Sequence, residues 1–150
     1  MSERAKKSDI LQILLVEDNP GDARLVKEAL RESKIMNNLH RVEDGEMALD
    51  FLYKRGIYDS APNPDLVLLD LNLPKISGHQ VLEQIKSEIS LRKTPVVVLS
   101  ISRSEKDIED SYNHNANCYI TKPLDLNEFI EVFETIQNFW LRTVTLPSKS

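Results

Sequence analysis

The chain has a single cysteine, Cys118, in 150 residues, which excludes an internal disulfide and a zinc site built from several thiolates. It has four glycines and seven prolines, too few for a collagenous or low-complexity chain. No apolar run approaches the roughly 20 residues that cross a bilayer, and no apolar stretch follows the basic residues of positions 1–8 to form a signal peptide. We therefore expect a cytoplasmic protein without a membrane partner.

Positive charge is also scarce. Nineteen basic residues against twenty-four acidic ones give a net charge of −5, so the chain lacks the positive field that attracts nucleic acid or an anionic membrane. The histidines, at positions 40, 79 and 114, lie far apart in the sequence. We interpret them as surface or partly buried residues rather than metal ligands.

Short apolar runs alternate with helical patterns along the chain, which is typical of a parallel sheet covered on both faces. The predicted strands are residues 13–16, 39–42, 66–69, 95–100 and 118–121. Predicted helices follow each strand, the first at 22–33, the fourth at 104–113 and the last at 125–141. We expect one doubly wound α/β domain over residues 10–141, with the flavodoxin-like strand order 2-1-3-4-5, a flexible tail at 1–9 and a second tail at 142–150.

Two predicted helices stand out. The fourth offers little more than Ile108 and Tyr112 for burial, so we expect packing to hold it loosely. The last helix has a long apolar stripe, which Val132 and Phe139 widen beyond what one sheet face would cover. A further surface is expected to cover these two residues.

Polar residues lie at or directly after the ends of four predicted strands: Glu17 and Asp18, Asp70, Ser100, and Lys122. Ligands of an open parallel sheet bind beyond the carboxyl ends of its strands, so these side chains are expected to converge. Two carboxylates 4 Å apart repel each other by about 4 kcal/mol at an effective dielectric constant near 20, so the cluster requires a cation. A ligand set made only of oxygen atoms favours Mg²⁺.

The same residues are suited to phosphoryl chemistry. A carboxylate beside a metal ion, an ammonium group and a hydroxyl can attack phosphorus, and Asp70 is the nucleophile that we predict, assisted by Lys122 and Ser100. The segment 17–20 presents carboxylates and a proline, where nucleotide-binding folds place glycines with free amides. Nucleotide binding is therefore disfavoured.

Taken together, these motifs resemble those of response-regulator receiver domains across about residues 10–141: the acidic pair 17–18, Asp-Leu-Asn-Leu-Pro at 70–74 with Gly78 four residues later, Ser100, and Lys-Pro at 122–123. The resemblance implies that Asp70 accepts a phosphoryl group from a phosphohistidine on a sensor histidine kinase. It implies that Mg²⁺ is bound directly by Asp18, Asp70 and the backbone carbonyl of Asn72, and through water by Glu17. It also implies that the protein signals rather than turning over a substrate, and that it assists its own phosphotransfer and dephosphorylation.

The resemblance extends to conformational features. Ser100 and Tyr119 match the hydroxyl and aromatic switch residues of the family; the alternative for Tyr119 is a simple packing role. A cis peptide bond is implied between Lys122 and Pro123. Asn115 stands where the family commonly has glycine, and asparagine tolerates the left-handed backbone region.

The loop 55–65, the run 17–22 and the aromatic segment 139–141 are more narrowly similar to the single-domain regulators of cyanobacterial phytochromes. This implies a phytochrome as the kinase and a changed interaction surface as the output. In those relatives the surface of the fourth helix, fifth strand and fifth helix forms a homodimer, which would cover Val132 and Phe139. The alternative is that the C-terminal tail folds back over its own helix.

Two other functions remain open at this stage. A Mg²⁺-dependent phosphohydrolase could also use an aspartyl nucleophile, but enzymes resembling the haloacid-dehalogenase family need a second aspartate two residues later, where this chain has Asn72. The other is a docking module that acts without phosphorylation. The full set of charged and hydroxyl residues at the strand ends argues against a vestigial pocket.

Overall fold

The strands form one parallel sheet flanked by helices, in a computed structural model that describes residues 10–33 and 35–137. The strands of this part of the chain are β1 (Leu11–Val16), β2 (Asn37–Val42), β3 (Leu66–Asp70), β4 (Val96–Ser100) and β5 (Cys118–Thr121). The helices are α1 (Pro20–Glu32), α2 (Gly45–Tyr53), α3 (Gly78–Ser87), α4 (Glu105–Asn113) and α5 (Leu126–Ile136). The strand order β2-β1-β3-β4-β5 confirms the predicted doubly wound α/β fold.

Alternate residues of each central strand point to opposite faces of the sheet, as the strand repeat requires. Leu14 and Val16 of β1 join the core beneath α2 and α3, whereas Ile13 and Leu15 join the core beneath α1 and α5. Because both faces are covered, β3 and β4 are buried along their whole length. This explains why they read as unbroken apolar runs rather than alternating ones.

Each helix is preceded by a capping residue whose side chain accepts a hydrogen bond from a backbone N–H in the first turn. These residues are Asn19, Asp44, Ser77, Ser104 and Asp125. The first helix begins at Pro20 rather than at residue 22. Asn19 is its cap, and a proline is well tolerated in the first turn because that N–H has no partner within the helix. This change brings Asp22 into the first turn of α1.

The fourth helix is loosely packed, as predicted, with only Ser111 fully buried among its residues. Ile108 is half-buried, but Tyr112 is 48% exposed, contrary to the prediction that it would be buried. The reason lies in the neighbouring strand. β5 is at the edge of the sheet and is itself only half-buried, so it offers α4 little surface to cover.

The last helix buries Phe129, Phe133 and Ile136 against the sheet. Val132 is half-buried and packs against the same core. Phe139 and the predicted tails at 1–9 and 142–150 lie outside the described residues. None of the described helices is long and apolar enough to span a membrane.

Candidate functional site

The strand pairing brings the predicted site residues to one edge of the sheet. Val16 pairs with Leu69 and Asp70 pairs with Leu99, so Glu17, Asp70 and Ser100 end neighbouring strands. On the far side, the N–H of Lys122 donates to the carbonyl of Ser100 over 2.8 Å. The predicted convergence at the carboxyl ends of the strands is confirmed for these residues.

Three carboxylates lie close together at this edge of the sheet. One oxygen from each of Glu17, Asp18 and Asp70 lies within 4.8 Å of the others, and this set can hold a divalent metal ion. Glu17 and Asp70 are buried and Asp18 is exposed, so the cluster opens to solvent on one side. The backbone N–H of Asn72 donates to Oδ1 of Asp70 over 3.1 Å and orients that carboxylate.

The ammonium group of Lys122 lies among the carboxylates. Its Nζ is 2.8 Å from Oε1 of Glu17, 2.8 Å from Oδ2 of Asp22 and 3.3 Å from Oδ2 of Asp70, and its side chain is only 7% exposed. The sequence predicts Lys122 as a site residue but not Asp22, which it places at the start of a helix and in the run 17–22 without a role in the site. The available signal was its place one helical turn after the acidic pair, since that spacing directs its side chain back toward the strand ends.

Burial and charge shift the ionisation of this cluster. Burial raises the pKa of Glu17 from 4.5 to about 7; the hydrogen bond from Lys122 lowers it, and the nearby charge of Asp70 raises it further. Burial alone would lower the pKa of Lys122, but its contacts with Asp22, Glu17 and Asp70 outweigh this and raise it. The pocket therefore has a permanently charged lysine and too little positive charge for all its carboxylates, which favours a bound cation.

Gly78 allows the loop after β3 to fold back tightly over Asp70. A Cβ atom at this position would lie 2.4 Å from the carbonyl oxygen of Asp70 and 2.5 Å from Cα of Leu71, and these are backbone atoms that cannot move aside. The N–H of Gly78 also donates to the carbonyl of Leu71 over 3.0 Å. The beginning of α3 is thus fixed directly against the backbone of Asp70.

The predicted switch residues meet at a third residue, Ser102. Ser100 is buried, and its Oγ accepts a hydrogen bond from the N–H of Ser102 over 3.1 Å. The hydroxyl of Tyr119 donates to the carbonyl of Ser102 over 2.8 Å. Tyr119 is half-buried and its ring packs against the core beneath α2 and α3, so it serves packing and also reaches the loop after β4.

Two backbone expectations have different outcomes. Asn115 has a φ of 70°, which confirms the left-handed conformation predicted for it. The described residues contain no cis peptide bond, so the prediction of a cis bond between Lys122 and Pro123 is wrong for this structure. A bond before proline differs little in energy between its two forms, so the sequence motif alone does not determine the isomer.

Comparisons with known proteins agree with this geometry. The model of the response regulator receiver domain family matches residues 13–134. The response regulator Rcp1 of Synechocystis sp. is 47% identical over 136 residues, which cover 91% of this chain and 92% of that protein. The crystal structure of the Mn²⁺-bound form of Rcp1 has a TM-score of 0.84 at 46% identity and covers 92% of this chain and 99% of that one.

A second solved relative is the phosphorylated cyanobacterial phytochrome response regulator RcpA. Its crystal structure has a TM-score of 0.87 at 48% identity, with 93% of this chain and 99% of that chain covered. The match extends over nearly the whole chain and includes the segments that carry the acidic cluster, Ser100 and Lys122. The chain therefore belongs to the response regulator receiver domain family.

Proposed function

We propose that this receiver accepts a phosphoryl group on Asp70 from a phosphohistidine of a sensor histidine kinase. The observation that carries the proposal is the convergence of Asp70 with Glu17, Asp18 and Lys122 at the end of β3. Asp70 is oriented on one oxygen by the N–H of Asn72, while its other oxygen faces the Lys122 ammonium. A carboxylate held in this way has a defined direction of attack.

Mg²⁺ is the cation that we propose for the acidic cluster. The available donors are carboxylate oxygens, which suit a hard ion, and the exposed side of the cluster leaves room for water and phosphate oxygens. Asp18 and Asp70 would bind the ion directly together with the backbone carbonyl of Asn72, and Glu17 would act through a water molecule. When bound, the ion neutralises charge on the phosphoryl oxygens.

In the transfer step, a bond forms between a carboxylate oxygen of Asp70 and phosphorus. The bond between phosphorus and the histidine nitrogen of the kinase breaks, and the nitrogen leaves with the electron pair. Lys122 stabilises the developing charge on the phosphoryl oxygens, and the Ser100 hydroxyl donates a hydrogen bond to one of them. Because the N–H of Ser102 already donates to the Ser100 oxygen, the hydroxyl hydrogen remains available for this contact.

The proposed output is a change in the surface around α4. Ser100 and Tyr119 both bind Ser102, so a movement of Ser100 toward a phosphoryl group would shift the anchor of the Tyr119 hydroxyl. The loose packing of α4 lets this shift alter its position at small cost. The protein would act as a signalling partner in the cytoplasm and not as an enzyme that turns over a phosphate ester.

Phosphotransfer tests this function. Wild-type protein with Mg²⁺ and a phosphorylated phytochrome kinase, the partner suggested by the similarity to the phytochrome response regulator RcpA, is expected to take up label, whereas Asp70→Asn is expected to take up none. Asp59→Asn makes the same chemical change in an exposed loop and should behave as wild type. Label on the Asp70 variant would remove Asp70 from its role, and steady hydrolysis of simple phosphate esters would favour a phosphohydrolase.

We also propose that the protein forms a homodimer through the face of α4, β5 and α5, which contains Val132. A groove of about 410 Å³ on this face is lined in part by Val132, Leu124 and Thr135, and Leu124 is 87% exposed. Sedimentation should show a dimer that Phe139→Glu dissociates and Ile57→Glu, an equivalent change at a residue in the loop before β3, does not. A wild-type protein that is monomeric both before and after phosphorylation would contradict the proposed interface.

A further inference from the structure

The segment after β4 has one residue, Ser102, on which several contacts depend. Its N–H binds the Ser100 hydroxyl and its carbonyl binds the Tyr119 hydroxyl, as described above. Its own side chain is held as well: Oγ donates to Oδ2 of Asp107 over 2.6 Å and accepts from the N–H of Ser104 over 3.1 Å. The position of both switch residues therefore depends on what anchors the side chain of Ser102.

Asp107, in the first turn of α4, is that anchor, and it is held from a different part of the fold. Its second oxygen, Oδ1, lies 3.2 Å from Nε2 of His79 in α3. The hydrogen bond from Ser102 and then the one from His79 hold the pKa of Asp107 below its usual range, so it is a charged acceptor for both donors. Hydrogen bonds to a charged acceptor are stronger than those between neutral groups.

His79 is well placed to fix this contact. It follows Gly78, whose backbone lies against Asp70 and Leu71, so the start of α3 has little freedom to move relative to the phosphorylation site. The bond to a carboxylate places a proton on Nε2 of His79, and its Nδ1 is buried without a hydrogen-bond partner in the described part of the chain. The ring also packs edge-on to His114 at the end of α4, with the centroids 6.3 Å apart.

We propose that His79 is a positioning residue for phosphorylation, which acts through Asp107 to hold Ser102 and so orients the switch residues Ser100 and Tyr119. The inference rests on the proposed function and adds a second connection between Asp70 and the switch. One connection is direct, from the phosphoryl group to Ser100. The other runs from the backbone of Asp70 through α3 and α4 to the same loop.

Binding of beryllofluoride, a phosphoryl mimic, in the presence of Mg²⁺ tests the proposal. His79→Leu removes the donor to Asp107 and is expected to weaken binding about three- to tenfold, the loss of one hydrogen bond that orders the site. His79→Gln places an amide N–H near the position of Nε2 and is expected to recover most of the affinity. If His79 only filled space, His79→Gln would not bind beryllofluoride more tightly than His79→Leu.

Two further variants isolate the path. His79 and Ser102 share no hydrogen bond and meet only at Asp107, so Ser102→Ala combined with His79→Leu should weaken binding no more than the stronger single change. Glu105→Gln removes an exposed carboxylate from the same turn of α4 that makes no hydrogen bond or ion pair with Ser102 or His79, and should leave binding unchanged. Unfolding in urea reports the stability of each variant separately.

The outcomes are distinguishable. If the wild type does not bind beryllofluoride with Mg²⁺, the proposed function itself fails. If the wild type binds it and His79→Leu binds equally well, or if the losses of His79→Leu and Ser102→Ala simply add, the positioning role of His79 is overturned. If His79→Leu does not fold, His79→Gln and Ser102→Ala still decide the matter, because equal affinity of Ser102→Ala and the wild type removes the path on which His79 depends.

Discussion

Replacing Lys122 by methionine tests the electrostatics of the site most directly. The change keeps a long apolar side chain but removes the ammonium group that lies within 3.3 Å of Glu17, Asp22 and Asp70. Removing one partner of a buried ion pair costs about 3–5 kcal/mol when the remaining group stays charged. Glu17 can escape this cost by taking up a proton, so the size of the loss must depend on pH.

The direction of this pH dependence follows from the pKa of Glu17. The rise from 4.5 to about 7 on folding corresponds to about 3 kcal/mol of stability, present below pH 4.5 and lost as the pH increases to about 7. The Lys122 hydrogen bond lowers this pKa. Without Lys122 it rises further, and the decline of stability continues above pH 7.

We therefore expect Lys122→Met to be destabilised by about 3–5 kcal/mol relative to wild type near pH 8, and by much less near pH 5. Urea unfolding of the metal-free proteins at several pH values measures this difference. Lys106→Met removes an exposed lysine whose ion pair with Asp110 lies on the surface of α4, and should show little effect at any pH. An equal loss for Lys122→Met near pH 5 and pH 8 would refute the account of Glu17.

Three other predictions follow from the site and its surroundings. Gly78→Ala would place its Cβ 2.4 Å from the Asp70 carbonyl oxygen, and should lower the free energy of unfolding by about 1–3 kcal/mol; Gly21→Ala, which meets only a side-chain oxygen at 3.2 Å, should not, and equal urea midpoints would contradict the clash. Because the pKa of Glu17 is raised to about 7, calorimetry should show Mg²⁺ affinity falling and proton release growing as the pH decreases through 7; a pH-independent affinity would exclude Glu17 from the site. The Nζ of Lys86 donates to three protein oxygens, so Lys86→Met should lower the free energy of unfolding by about 1–3 kcal/mol. An unchanged urea midpoint would show that water replaces those bonds.

Much of the fold could be read from the chain because its signals are local. The apolar runs of β3 and β4 have no polar interruption, which only a strand covered on both faces can accommodate. Capping residues such as Ser77 and Asp44 mark where helices begin. The ends of helices are harder to predict: α1 begins two residues before the predicted start, because Asn19 caps it and Pro20 occupies its first turn.

The site was predictable to the extent that it follows from topology. Parallel strands all end at one edge, so Glu17, Asp70, Ser100 and Lys122 meet there whatever the details of packing. Tyr112 is exposed although its spacing predicts burial, because helical spacing indicates a shared face but not whether the sheet extends far enough to cover that face. Asp22 joins the site from the first turn of α1, and its spacing from the acidic pair is a weaker signal than a position at a strand end.

The sequence by itself determined the order of strands and helices along the chain, because their apolar patterns are local. It also determined the edge of the sheet at which the polar site residues meet, because those residues lie within a few positions of a strand end. Only the tertiary structure decided that Asp22 shares Lys122 with Glu17 and Asp70, and that His79 reaches Asp107 from another helix. These contacts depend on how two helices pack against the sheet. Such packing arises from the sum of many apolar contacts, and no single motif specifies the resulting angle and distance.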